Sequence, residues 1–291
     1  MTNIIEFPIT EWNSSHSVLQ QEQAVKALEN GNVLFFPQLA FTVHENETKF
    51  LSPDSVGKSK NVGFNINTNK VQGSQVAEHD APELQAMMNR FANSSRTLVQ
   101  SLLSHYTPEL MQARTSLRPV EISGRASSWR KDDTRLHFDA FPATPVHGKR
   151  ILRVFSNVNP DGKTRSWRVG EQSFEQVAKR FIPSIADPLW QSDKLLHLLG
   201  ITKSRRTAYD HFMLHLHDSM KKDNAYQASE QTHFDFPANS TWICFADGVP
   251  HAVLTGQHLM EQTFYLPVSA MQEPALSPLK VLERLKGRAL L

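Results

Sequence analysis

The chain carries a single cysteine, Cys244, in 291 residues. No intrachain disulfide can form, a cysteine-rich zinc site is excluded, and a reducing, cytoplasmic setting is expected. Cys244 sits in the apolar run TWICFA and reads as a small buried hydrophobe. Charge of one sign is lacking too: 31 Lys and Arg face 29 Asp and Glu, a formal net charge of +2, too little to imply a nucleic-acid partner. No window approaches the roughly 18–20 unbroken apolar residues of a membrane span. The opening MTNIIEFPITEWNSS has no basic stretch followed by a long apolar one, so no secretory signal is expected. Low-complexity tracts and fixed-period repeats are missing, while 40% hydrophobic and 21% charged residues are ordinary for a globular chain. The excess is in histidine, thirteen in all, in runs such as HFDAFP, HLHD, HFDFP and VPHAV.

Helical spacing covers 17–30, with Ala24, Val25 and Leu28 near one face and Gly31 as the stop. NVLFFP (32–37) predicts a strand. A second helix is predicted over about 82–105, with Asp80 as its N-cap. From about 117 short β-rich runs alternate with turn signals: RPVEIS, RLHFDAF and RILRVFSNV, then NPDG. Residues 171–200 and part of 208–222 read as helical. STWICFA and HAVLTG then flank the turn DGVP, and TFYLPV follows. The pattern predicts an α+β fold, a double-stranded β-helix (a cupin-like jelly roll) flanked by helices. We read 1–291 as one domain: a helical and strand part to about 115, a jelly-roll core over about 116–270 and a C-terminal helix over about 278–291. That helix, entered at Pro278, sets Leu279, Leu282, Leu285 and Ala289 beside Lys280, Arg284, Lys286 and Arg288, with Glu283 as its one acid. Packing on its own domain or a dimer partner is the first expectation. Contact with an anionic membrane surface is the second.

On a strand, residues i and i+2 point to one side, so His137 and Asp139 can reach one metal ion while Phe138 packs behind. His251, opening a strand after the turn, supplies a second imidazole. Two histidines and a carboxylate make a facial triad that holds iron and leaves positions open for a co-substrate and O2. The 112-residue separation of Asp139 and His251 leaves room for the strands that a jelly roll must place between them. The rival His233–Asp235 lies only 16 residues from His251, with Pro237 close behind, and reads as a loop or strand entry. His211 and His215 share a helical face, but no HExxH pattern surrounds them.

An Fe(II) oxygenase using 2-oxoglutarate needs a cation for the far carboxylate of that co-substrate, and arginine does this best. About ten residues beyond His251 stand Glu261, Gln262 and Thr263, so that slot is empty. On RILRVFSNV, Ile151, Arg153, Phe155 and Asn157 share one face. A charge in the middle of an apolar face is costly unless paired, which selects Arg153, with Asn157 as a supporting hydrogen-bond partner. Arg150, of opposite parity, follows the turn-forming HGK and is expected in solvent, a second-choice cation. Arg125, Arg130 and Arg135 precede the metal strand, either as a solvated loop or as a grip on an anionic substrate.

HFDAFP, GKRILRVFSNVNPDG, WRVGE, YDHFMLHLHDSMK, DGVPHAVLTGQH and LERLKGR together resemble the Kdo 3-hydroxylase family, most closely at 117–170 and 240–291. These are bacterial Fe(II)/2-oxoglutarate enzymes acting on 3-deoxy-D-manno-oct-2-ulosonic acid (Kdo), the acidic sugar of lipopolysaccharide. The resemblance implies hydroxylation at C3 of Kdo on a lipid A precursor, giving Ko, with succinate and CO2 as co-products. It also implies a cytoplasmic enzyme working at the inner membrane on a glycolipid, with homo-oligomers left open. The alternatives are the same chemistry on another small acid or a protein, and a non-catalytic metal-binding jelly-roll module.

Overall fold

The computed structural model describes residues 3–57, 61–124, 128–188 and 197–291. Two helices and four strands come first: β1 (Ile4–Glu6), α1 (Val18–Glu29), β2 (Val33–Phe36), β3 (Val62–Asn65), β4 (Lys70–Gln72) and α2 (Ala81–Leu102). Then follow β5 (Met111–Arg118), β6 (Arg150–Asn157), β7 (Arg165–Gly170), α3 (Phe174–Phe181), α4 (Ala208–Lys222) and α5 (Asn224–Gln227). The chain closes with β8 (Gln231–Phe236), β9 (Thr241–Phe245), β10 (His251–Thr255), β11 (Leu259–Leu266) and α6 (Pro278–Lys286). An eight-stranded sheet runs β1-β2-β9-β6-β11-β5-β3-β4, and a three-stranded sheet runs β10-β7-β8. The N-terminal strands therefore extend the same sheet that carries the core strands β6, β9 and β11.

Strand alternation explains the layering. Phe155 and Trp242 of the large sheet meet Trp167, Val169, Phe236 and Val253 of the small one in a core between the sheets. The opposite faces of β6 and β9, through Leu152, Val154, Ile243 and Phe245, pack against Ala24, Val25 and Leu28 of α1 and Leu98, Val99 and Leu102 of α2. The apolar spacing of α2 continues through Leu84, Met87, Met88 and Phe91, which cover Phe64, Leu117 and Met260. Residues from α3, α4 and α6 close over Leu136, Phe138 and Ala252 on the outer side of the small sheet. Ser17 caps α1 through a reciprocal bond with Gln20. No helix among the described residues is long and apolar enough to cross a membrane.

Several local expectations need correction. Asp80 does not cap α2: its own backbone is already helical, and its carboxylate pairs with Lys49 at 2.6 Å. The strand expected over RPVEIS lies earlier and ends at Arg118, because Pro119 has no N–H to extend the ladder. HFDFP is neither loop nor strand entry. It lies in β8, paired residue by residue with β7 up to Phe236. In RLHFDAF only His137 forms a bridge, to His251. In the C-terminal helix, Leu279, Val281 and Leu282 are buried against α3 and α4. Full burial of a leucine is worth about 1.5–3 kcal/mol, so this apolar stripe is committed to the protein, and the reading of it as a membrane-facing stripe is overturned.

Candidate active site

The segment from Leu136 to Asp139 crosses the mouth between the two sheets. Leu136 and Phe138 point into the helix-side core, and the alternation turns His137 and Asp139 the other way. His137 exchanges two backbone hydrogen bonds with His251, each 3.0 Å, and the Asp139 N–H donates to the Ala246 carbonyl at 2.8 Å. The small sheet thus fixes His137 and the end of β9 fixes Asp139. One ligand atom from each of His137, Asp139 and His251 lies within 4.8 Å of the others, the one such grouping among the described residues. His137 Nε2 stands 3.9 Å from Asp139 Oδ1.

The imidazoles are held ready to ligate. Nδ1 of His137 donates to the Arg135 carbonyl at 2.8 Å, and Nδ1 of His251 donates to the Val249 carbonyl at 2.9 Å. Each Nε2 is left with its lone pair toward the shared point. Burial lowers both imidazoles below their ordinary pKa, His137 the further, with Lys221 and His251 adding to the effect there. Neutral imidazole is the ligating form. Trp167 stacks on His251 (centroids 5.1 Å apart, 20°), and His217 meets His137 edge-on at 5.3 Å. The Asp139 carboxylate is 11% exposed, with Oδ2 lacking a hydrogen-bond partner in good geometry. A donor set of two buried imidazoles and one partly buried carboxylate, with no fourth His, Cys, Asp or Glu donor among the described residues, suits iron with an open face.

Arg153 reaches this centre. Its Nε lies 3.1 Å from Asp139 Oδ2 and its Nη1 3.1 Å from Glu261 Oε1, with Phe141 beside the guanidinium at 5.3 Å. Burial pulls its pKa down, and Asp139 and Glu261 more than offset this. Glu261 bridges onward, its Oε2 accepting from Arg118 Nε at 3.0 Å and Nη2 at 2.9 Å. Burial pushes the Glu261 carboxyl up, and Arg118 and Arg153 outweigh it to hold the pKa below the usual carboxylate value.

Arg165 shares the inner face of β7 with Trp167. It is buried, donates to the Gly256 carbonyl at 3.0 Å, and pairs with no carboxylate among the described residues. Burial, then the neighbouring Arg118, pull its pKa to about 9. Gly256, at φ +128°, lets the chain pass so close that an added Cβ would meet the Arg165 Cγ at 2.7 Å. Glu261, Arg118, Arg165 and Trp167 escaped the sequence reading. The parity of RSWRVG, where Arg165 and Trp167 fall on one face, was the available signal for two of them.

Other candidate residues fall elsewhere. Arg150 is buried, not solvated: it pairs with Asp247 at 2.9 Å and lies over the Phe245 ring at 4.0 Å, because its outward face is roofed by the core next to α1 and α2. The Asn157 amide is spent on the turn after β6, donating to the Lys163 and Phe236 carbonyls and accepting from the Asn159 N–H, so it offers Arg153 no support. Arg130 is 62% exposed, stacked on Trp129 and paired with Asp218 at 2.9 Å. Arg135 ties the segment to α4 and α5 through the Lys221 carbonyl and Asn224. Arg125 lies outside the described residues. His233 and Asp235 project from the solvent side of β8, both more than half exposed. His211 bonds the Ala186 carbonyl and meets the His215 ring at 4.3 Å.

Known proteins bear on this geometry. A family model described as 3-deoxy-D-manno-oct-2-ulosonic acid (Kdo) hydroxylase matches residues 11–289. The chain is 46% identical to the Kdo hydroxylase KdoO, a non-heme Fe(II) alphaketoglutarate-dependent dioxygenase, in its crystal structure with alphaketoglutarate and Fe(III). The match covers 99% of this chain and 97% of that one, at TM-score 0.96. The cobalt(II) complex of KdoO matches over the same shares at 46% identity and TM-score 0.97. The apo form matches at 47% and 0.96, again over 99% and 97% of the two chains. No curated protein matches.

Proposed function

This chain belongs to the Kdo hydroxylase family, and from that premise we propose that it hydroxylates C3 of Kdo carried on a lipid A precursor, giving Ko. His137, Asp139 and His251 would hold Fe(II). Bound iron, with 2-oxoglutarate and O2, supplies the oxidising chemistry that replaces C–H with C–OH and yields succinate and CO2. The observation that carries the reading is the three-donor set beside a buried arginine network. A structural metal site would close its coordination sphere with protein ligands. Three donors leave room for co-substrate.

In this reading Arg153 binds the far carboxylate of 2-oxoglutarate, held in place by Glu261, which is itself braced by Arg118. Arg165 is the second candidate for that role, favoured by its lack of a carboxylate partner. Trp167 and His217 fix the planes of the two imidazoles. Arg130, at the rim, meets the acidic sugar. We read the whole chain as one oxygenase domain working in the cytoplasm at the inner membrane, where its glycolipid lies. The test is mass spectrometry of Kdo–lipid A incubated with the purified protein, Fe(II), 2-oxoglutarate and O2. A gain of one oxygen on Kdo, coupled to succinate, is expected. An unchanged sugar mass sinks the substrate assignment.

A further inference from the structure

We propose that the segment from His197 to Arg206 is the surface by which this protein docks on an anionic lipid membrane. Three large apolar side chains stand outward within four residues: Leu198 is 83% exposed, Leu199 63% and Ile201 51%. Single exposed leucines are ordinary. A tight apolar tip flanked by cations is the pattern of an interfacial anchor. Gly200, at φ +68°, makes the turn, with its N–H donating to the His197 carbonyl at 3.0 Å. Buried Thr202 roots the tip, its carbonyl 3.2 Å from His197 Nδ1. Lys203, Arg205 and Arg206 follow, and no acid stands between His197 and Thr207. Lys203 and Arg206 pair with no carboxylate among the described residues. The other exposed pair, Val18 and Leu19 on α1, has Glu22 nearby and no such cations before Lys26.

The placement gives the tip its purpose. The Lys203 N–H donates to the Ala143 carbonyl at 2.9 Å, and Arg206 Nη2 donates to the Pro142 carbonyl at 2.6 Å. His147 Nε2 donates to the Arg205 carbonyl at 2.9 Å. Residues 140–148 continue the chain beyond Asp139. The apolar tip is therefore fastened to the chain segment that leaves the active site. Exposed Leu291 lies against Gly148 on the same segment. A lipid surface touching this tip sits beside the site. Commitment to an anionic surface follows from charge complementarity, and the functional importance of the surface rests on the reading that the substrate is lipid-linked.

The experiment is flotation of the intact protein with vesicles of phosphatidylcholine alone or with one third phosphatidylglycerol. Wild type should partition onto the anionic vesicles, less so as salt rises. The variant carrying Leu198→Ser, Leu199→Ser and Ile201→Ser should lose at least about tenfold in partition, and Lys203→Glu at least about fivefold. Both should keep wild-type turnover of a deacylated, water-soluble Kdo saccharide, which also shows that they fold. If the anionic vesicles do not bind wild type, or bind the triple variant equally, the proposal is overturned. It is also overturned if sedimentation shows a wild-type dimer that the triple variant turns into a monomer, since the tip is then a self-contact. Loss of vesicle binding in the variants, with no oxygen added to Kdo by any form, supports the surface and refutes the substrate reading instead.

Discussion

Replacing Arg153 with alanine separates two jobs that the geometry assigns to one guanidinium. In the protein as it stands, Arg153 lies 3.1 Å from Asp139 Oδ2 and 3.1 Å from Glu261 Oε1. Breaking a buried charge pair from one side costs about 3–5 kcal/mol. If the same guanidinium holds the far carboxylate of 2-oxoglutarate, its loss weakens that co-substrate by roughly 10²- to 10³-fold, since each 1.4 kcal/mol is a factor of about ten. Metal affinity should move the other way or stay put, because Asp139 is released from a competitor while Glu261 keeps Arg118. The assay is anaerobic titration of 2-oxoglutarate into the Fe(II)-loaded protein, followed by the visible charge-transfer band, with Co(II) absorption reporting metal binding separately. Thermal unfolding run alongside reports the folding cost, which should be smaller than the full pair energy because Glu261 remains paired. A 2-oxoglutarate affinity within threefold of wild type refutes the assignment. If Arg165→Ala shows the large loss in its place, the anchor is the unpaired arginine of β7.

Alanine at His137, Asp139 or His251 should abolish turnover with circular dichroism unchanged, and full activity of any one of them with added Fe(II) removes that residue from the ligand set. His233→Ala and Asp235→Ala, on the solvent side of β8, should leave Co(II) binding within twofold of wild type, and a large loss there means the wrong pair was chosen. For acid stability, Glu261 has a folded pKa held below its ordinary 4.5, so the unfolded chain takes up its proton first as pH falls. Its contribution is present above about 4.5 and disappears as pH drops through the folded value. Glu261→Gln should therefore be less stable at neutral pH and show a shallower loss of unfolding free energy on acidification. Parallel curves for the two proteins contradict that account.

How much the sequence disclosed depended on whether the signal was local. The alternation in Leu136-His137-Phe138-Asp139 needs only neighbouring residues, and it puts His137 and Asp139 on one side even though the segment forms a single bridge and no long strand. The 112-residue interval to His251 is taken up by four strands, β6 to β9, and the fold brings its two ends together. Arg153 was legible as a charge in the middle of an apolar strand. Arg150 was misjudged because its partner Asp247 comes from a turn 97 residues away, and nothing near Arg150 announces it. Glu261 looked like an empty arginine slot, yet it reaches the centre through Arg153, a relation that exists only once β11 lies beside β6. The amphipathic C-terminal helix could cover either lipid or protein. Only the packing of Leu279 and Leu282 decided for protein.

The charges enclosed between the sheets imply one more behaviour. The guanidinium groups of Arg118, Arg153 and Arg165 face the carboxylates of Asp139 and Glu261 there, with Arg114, Glu121 and Asp133 close enough to act on them, and burial holds both histidines below their ordinary pKa. A divalent cation alone adds positive charge to this poorly solvated space, whereas a dianion alone adds negative charge. The two together leave the enclosed charge as it was. Metal and 2-oxoglutarate should therefore favour each other's binding, and linkage requires the factor to be the same in both directions. The measurement is Co(II) affinity with and without saturating 2-oxoglutarate, and 2-oxoglutarate affinity with and without Co(II), by calorimetry in the absence of oxygen. A coupling on the order of 1–3 kcal/mol, about 5- to 150-fold, is expected. Arg165→Met, which removes a buried guanidinium that pairs with no carboxylate among the described residues, should lessen the penalty for metal alone and shrink the coupling. Equal affinities with and without the partner ligand in wild type would show that solvent, not these arginines, sets the charge of the site.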